Sequence, residues 1–263
     1  KEEIETKNRD ITDSINYAQR IQASILPPIK KLHETFTGSF VFYQPRDIVS
    51  GDFYWYDRMD DDRFIIVCAD STGHGVPGAF MSMIGTTLIK DICMREDVEK
   101  PSHVLDTLDS EVREALNQNV ESDGSNDGMD IIVAEINLRT QKFTVSSAMR
   151  PVIVYKNGEQ IYVKGSRSSI GGQLDEGRMV KEFVDQEFDL SKGDIIYMFS
   201  DGYPDQFGGP LGRKFKMVRL KNLLRDIHDK PMDEQYNYIK SNFFLWKEDL
   251  EQVDDVLFMG IKL

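Results

Sequence analysis

Sulfur ligands and imidazoles are scarce in this chain. Its 263 residues include two cysteines and four histidines. Cys68 lies in an apolar run and Cys93 near the end of a helical pattern, so a reducing, cytoplasmic setting is expected rather than a disulfide framework. His33, His74, His103 and His228 are scattered, without the Cys/His spacing of a zinc site. No segment approaches the ~18 apolar residues of a membrane helix, and no signal peptide opens the chain, so this segment is expected to make no membrane contact. Positive charge is in deficit. Lys and Arg number 32 against 45 Asp and Glu, a net charge of −13, which argues against a nucleic-acid surface. No Ser-His-Asp or Cys-His constellation stands out. The glycines between Gly73 and Gly78 are not followed by the Gly-Lys-Ser/Thr of a Walker loop.

What remains is an ordinary balance of 40% hydrophobic and 29% charged residues, in a chain long enough for one large domain or two small ones. Residues 1–26 lack Gly and Pro and read as one helix. Ile4, Ile11, Ala18 and Ile25 recur every seven residues, with Asn8, Ile15 and Gln22 on the companion position, the pattern of a short coiled-coil seam with polar interruptions. Pro27 and Pro28 stop it. The chain begins on Lys rather than Met, so it is expected to be a piece of a longer protein. Residues 1–27 then form a helical linker and 28–263 a separate domain.

That domain is organised around Phe64 to Phe80. The run from Phe64 to Ala69 suits a buried strand. It ends on Asp70, and Ser71 to Gly75 form a turn before a helix expected over 77–94, with Phe80, Ile84, Leu88 and Ile92 on one face and small residues, Gly78, Ala79, Ser82 and Gly85, on another, which suits close packing on a sheet. A second helix is expected over 102–120 and a loop over 121–128. Strands are expected over 40–43, 53–56, 129–137, 142–147, 151–155, 160–163, 180–188 and 194–200, with Asn157-Gly158 as a hairpin turn and 164–178 irregular. Helices over 215–228 and 231–245 precede a last strand at 256–261. Asp60 to Asp62 read as a solvated turn.

The strand-then-Asp grammar recurs. The strand at 194–200 ends on Asp201, and Asp254-Asp255 precede the last strand in mirror order. Asp52, Asp70, Asp201 and Asp254 thus all lie where polar turns meet strands. Oxygen-only donors favour Mg2+ or Mn2+. Two such ions can share a bridging carboxylate, lower the pKa of a water between them and clamp the oxygens of an in-line displacement at phosphorus. Ser50-Gly51-Asp52-Phe53 superficially resembles the GGDEF signature of cyclic-dinucleotide synthases, but an aromatic strand follows the Asp, with no Glu.

Ser50 to Tyr54 also resembles the GGDFYD motif of SpoIIE-type serine/threonine phosphatases, a branch of the metal-dependent PPM superfamily. Asp70 to Ala79 is similar to that family's D-x-[ST]-G-H-G element, Ser200-Asp201-Gly202 to its [TS]-D-G, and Asp254-Asp255-Val256 to its closing D-D-[IV], in order over about 36–263. The resemblance implies an α+β fold, a four-layer α-β-β-α sandwich of two antiparallel sheets flanked by helices, with an N-terminal helical linker. It implies two Mn2+ or Mg2+ ions, Asp70 bridging them, the Ser71 carbonyl on one, Asp201 and Asp254 on the other, and Asp52 at the edge, with Asp52, Asp70 and Asp201 catalytic. The implied partners are a phosphorylated regulatory protein such as an anti-sigma-factor antagonist, an upstream sensor domain and a second copy of the chain. Ser50 in place of the first Gly, and Gly78 before the usual Ala, depart from the pattern without removing an oxygen ligand. The superfamily's phosphate-binding Arg has no secure match, Arg46 being the nearest candidate. His74 is a proton donor or a turn residue, Asp255 a support for the turn, and Asp127 and Asp130 candidates for a third ion. The rival reading is a catalytically silent module of the same fold that binds a partner and dimerises through its first helix.

Overall fold

The computed structural model describes residues 1–36, 38–95, 98–118, 125–172 and 181–263. The first half of the loop expected at 121–128 lies outside these residues, as do the end of the helix expected to 120, part of the irregular stretch at 164–178 and the first residue of the strand expected from 180.

The chain opens with helix α1 (Glu2–Ile25) and the short α2 (Ile29–Thr35), then β1 (Gly38–Gln44), β2 (Asp52–Arg58) and β3 (Arg63–Ser71). Helices α3 (Gly75–Cys93) and α4 (Pro101–Ala115) follow. Next come β4 (Gly128–Asn137), β5 (Lys142–Ala148), β6 (Val152–Lys156), β7 (Glu159–Val163), β8 (Ile170–Gly171), β9 (Gln186–Asp189) and β10 (Ile195–Phe199). The last part holds the single turn α5 (Gly202–Asp205), the small hairpin β11 (Phe207–Gly208) and β12 (Arg213–Lys214), α6 (Lys216–Ile227), α7 (Met232–Lys247) and β13 (Val256–Lys262).

Two antiparallel sheets face each other. One has the order β1-β13-β10-β6-β7, the other β2-β3-β4-β5-β9 with β8 attached to β4. Alternate residues of a strand point to opposite faces, so the central strands feed two cores each. Ile66 and Cys68 of β3 meet Met198, Leu257 and Met259 between the sheets. Ile65, Val67 and Ala69 of the same strand pack on Met81, Ile89 and Ile92 of α3 and on Val104 and Leu108 of α4. Phe199 and Phe258 of the other sheet turn outward to Tyr203 of α5, Leu220 and Leu224 of α6 and Phe243 of α7. Buried on both faces, β3 and β13 read as continuous apolar runs rather than alternating ones. The result is the expected α-β-β-α sandwich with the first helix at its edge.

Several elements differ from the sequence reading. In α3 the expected apolar stripe packs only toward its end, where Ile92 is buried and Leu88 leans on the same core. Phe80 is 64% exposed, whereas Gly78, Ala79, Ser82, Gly85 and Thr86 are buried. The reason is distance, because a Cβ on Gly85 would stand 2.7 Å from the Phe53 ring. The small-residue face therefore lets the helix lie close on β2. The strand expected from 180 is paired over Gln186–Asp189, along β5. Helix α2 arises where the sequence reading assigned no element, and the strand β8 and the β11–β12 hairpin where it left irregular chain. Asn157 and Gly158 both adopt positive φ, as a tight hairpin between β6 and β7 requires. The first half of α1 is open to solvent, with Ile4 65% and Ile11 58% exposed. Gln22, assigned above to the seam, is instead buried in the domain, where its Nε2 donates to the Ser50 carbonyl (2.6 Å) and Ser82 Oγ (2.8 Å). Cys68 and Cys93 are buried free thiols. Among the described residues no helix is long and apolar enough to cross a membrane.

Phe258 stacks on Phe199 at 5.2 Å between ring centres and meets Tyr203 at 5.7 Å edge-on. Replacing it with alanine should lower unfolding free energy by ~3–5 kcal/mol in a urea titration. A loss under ~1 kcal/mol would show that this aromatic layer does not anchor the outer helices.

Candidate active site

The register of one sheet assembles the first carboxylates. Asp52 of β2 lies opposite Asp70 of β3, and Asp70 opposite Asp130 of β4. Opposed residues share a face. Two positions further along, Tyr54, Cys68 and Ile132 fill the core between the sheets. The three aspartates therefore continue that face at its polar end and look toward the other sheet. From there Asp201, just past β10, brings its backbone N–H to 3.5 Å from Asp70 Oδ2. Asp254 completes the group within electrostatic reach of Asp201 and His74.

The turns are packed closely around these side chains. A Cβ on Gly78 would lie 2.3 Å from the Gly73 carbonyl oxygen, and one on Gly51 2.5 Å from the same atom. Only glycine fits either position, so Gly78, which stands before the usual Ala of the family pattern, is required by the packing. Asp255 holds the turn before β2: its Oδ1 accepts from the Arg46 N–H (2.8 Å) and its Oδ2 from the Gly51 N–H (2.7 Å). It is the turn support expected of it. Thr72 Oγ1 donates to Asp127 (3.1 Å) and accepts from the Gly128 N–H (3.0 Å), so Asp127 braces the turn after β3. His74 and Asp47 pair at 2.8 Å, both about half exposed. Ser71 Oγ is buried without a partner.

The cation in the middle is Arg150, a residue passed over in the sequence. Its Nη2 lies 2.5 Å from Asp130 Oδ2 and 3.4 Å from Asp70 Oδ2, and its Nη1 2.8 Å from Asp201 Oδ2. Arg46, the candidate named from sequence, donates instead to the Val253 carbonyl (3.0 Å). A basic side chain beside Pro151 at the start of a strand carried no local signal. Among the described residues no three His, Cys, Asp or Glu side chains form a ready ion cage. The oxygen donors nonetheless fit a hard divalent cation. Asp52 is 2% exposed and its Oδ2 has no partner. Three carboxylates, Asp70, Asp130 and Asp201, share one guanidinium, and all the donors are oxygen.

Burial pushes the Asp52 carboxyl well above the ordinary range, and repulsion from Asp70 adds to it. Burial likewise raises Asp70; Arg150 pulls it back, and Asp201, Asp254 and Asp130 push further up. Burial also raises Asp254. These carboxylates are held together without a counter-cation only at a cost in folding free energy.

A family model described as Stage II sporulation protein E (SpoIIE) matches residues 60–263. The chain belongs to the SpoIIE family. It is a SpoIIE-type domain of the PPM, or PP2C, class of protein serine/threonine phosphatases. The SiaA PP2C domain of Pseudomonas aeruginosa superposes with a TM-score of 0.86 at 28% identity, covering 98% of both chains. The phosphatase domain of SpoIIE from Bacillus subtilis shares the fold at TM-score 0.68 and 17% identity, over 86% of this chain and 61% of that one. The phosphoserine phosphatase RsbP of Bacillus subtilis is 24% identical over 222 residues, 83% of this chain and 50% of the relative. The SpoIIE-type domain thus spans about half the length of that curated relative.

A carboxyl whose pKa is raised on folding binds more protons folded than unfolded, so its contribution falls as pH rises from the unfolded value through the folded one. In chelator, raising the pH from about 5 to about 8 should lower the melting temperature, and Asp52→Asn should recover ~1 kcal/mol, on the order of 3 °C, at the upper end. An Asp52→Asn protein that melts no higher than the parent at pH ~8 would show that this carboxyl is not strained in the fold.

Proposed function

We propose that this domain is a Mn2+- or Mg2+-dependent phosphatase of phosphoserine and phosphothreonine in proteins, acting in a bacterial signalling pathway in the cytoplasm. The observation that carries the reading is the meeting of Asp52, Asp70, Asp130 and Asp201 from two sheets on one point. Asp70, Asp201, Asp254, the Ser71 carbonyl and, at the edge, Asp52 would hold the ions. When bound, two divalent ions would activate a water and neutralise charge on the phosphoryl oxygens. The chain's own part is to hold acceptors rigidly. The Asp255 clamp and the Gly51–Gly73–Gly78 contact set where Asp52 and Asp70 stand. The half-exposed His74, oriented by Asp47, lies at the mouth of the site, where a leaving hydroxyl would need a proton.

The name of RsbP, a phosphoserine phosphatase, and the likeness to SiaA support a protein substrate, which we take to be a small phosphorylated regulator such as an anti-sigma-factor antagonist. The exposed Ile4 and Ile11 support pairing of α1 with a second copy, downstream of a sensor domain, and Gln22 ties that helix to the Ser50 backbone two residues from Asp52.

Hydrolysis of an aryl phosphate should require Mn2+, stop on adding chelator, and fall ~100-fold or more in Asp70→Asn. Equal rates for parent and variant would leave the silent binding module as the better account. In light scattering, a chain starting at Ile29 should be monomeric where the full chain is dimeric; a dimer of undiminished stability would remove α1 from the interface.

A further inference from the structure

Arg150 stands at the crossing between the sheets. β5 ends at Ala148 in one sheet and β6 begins at Val152 in the other. The link between them is braced on several sides. Met149 adopts a φ of 67°, its N–H donates to the Ser166 carbonyl (3.2 Å), the Arg150 N–H donates to the Ala148 carbonyl (2.8 Å), and the Ser147 hydroxyl donates to the Arg150 carbonyl. Gly165 packs against it so closely that a Cβ there would lie 2.8 Å from the Arg150 carbonyl oxygen. The guanidinium is thus aimed by a rigid backbone into the gap between Asp70 and Asp130 of one sheet and Asp201 of the other.

Its three partners are not held equally. Asp130 is fixed from both ends, by Arg150 on Oδ2 and by the Ser169 hydroxyl on Oδ1. Asp70 meets Arg150 at 3.4 Å and Asp201 at 2.8 Å, and neither carboxylate has another cation among its ion pairs in the described residues. Arg150 Nε is buried and unpartnered.

We infer that Arg150 is a tethered counter-cation that competes with divalent ions for Asp70 and Asp201 and so sets the affinity of the site for metal. The inference rests on the metal-dependent reading above. A guanidinium is charged at every working pH, so it stabilises the cluster of carboxylates before any ion binds. A divalent ion taken up by the same two carboxylates meets a like charge a few ångströms away and must displace two of the three contacts. Whatever favours the free form more than the loaded form weakens binding by that difference. Arg150 would then swing on its Asp130 contact, which both forms can keep. It acts through the carboxylates, as a positioning residue.

The test is calorimetric titration of MnCl2 into the parent, Arg150→Met and Arg150→Lys, with melting temperatures in chelator. Both variants should bind Mn2+ more tightly, Arg150→Met by ~10-fold or more and Arg150→Lys by less, since an ammonium cannot span three carboxylates. The chelated Arg150→Met protein should melt lower than the parent, and saturating Mn2+ should close that gap. A residue with a merely structural role would lower the melting point without tightening Mn2+ binding. Mn2+ affinity equal to or weaker than the parent's in Arg150→Met overturns the inference; if that variant does not fold, the same comparison with Arg150→Lys decides it. A parent that takes up no Mn2+ at all overturns the metal-dependent reading, and the inference with it. A parent that binds Mn2+ while neither variant binds it more tightly overturns the inference alone.

Discussion

The structure turns on the repulsion of like charges gathered at one end of a β-sandwich. Asp52, Asp70 and Asp130 stand on neighbouring strands in direct register, and Asp201 faces them from the second sheet. In water such a group would fly apart. Here the strands that carry it are locked by apolar cores on both faces, so the backbone cannot relieve the repulsion by moving. The relief must come from cations. One is built in, Arg150, delivered by the chain where it passes from one sheet to the other. The charge left over is the physical reason to expect more of them.

Around this group the fold spends its least adaptable contacts. Gly51, Gly73 and Gly78 touch backbone to backbone, joining the turn before β2 to the turn after β3 and the start of α3. Asp255 ties the same turn to the head of β13. The small face of α3 brings the helix down on Phe53, and Gln22 of α1 reaches past Ser82 to the Ser50 backbone. Four separate parts of the chain thus converge on the three residues Ser50, Gly51 and Asp52. Both α1 and α3 are thus tied directly to that turn.

Much of this was legible. The apolar runs ending on Asp70 and Asp201, the Asp254-Asp255 pair before the last strand and the family motifs named four of the carboxylates that the fold groups. The strand periodicity yielded most of the two sheets, and Asn157-Gly158 marked its hairpin. The small face of α3 was legible as a close-packing surface, and the approach to Phe53 demands it; the exposure of Phe80 on the apolar stripe was not. Gln22 looked like a polar flaw in a heptad and proved to be a buried clamp. The two-residue strands at β8 and β11–β12 were too short for any period to appear.

By itself the sequence determined which strands end in carboxylates, where the turns need glycine, and that the donors for a cation would be oxygen. These are properties of short stretches, and local chemistry expresses them. Only the tertiary structure decided that Asp130 and Arg150 belong with Asp70 and Asp201. Asp130 owes its place to the register of β4 on β3, and Arg150 to a crossing between sheets. Neither register nor crossing is written in a local pattern; both follow from how two apolar cores close on each other.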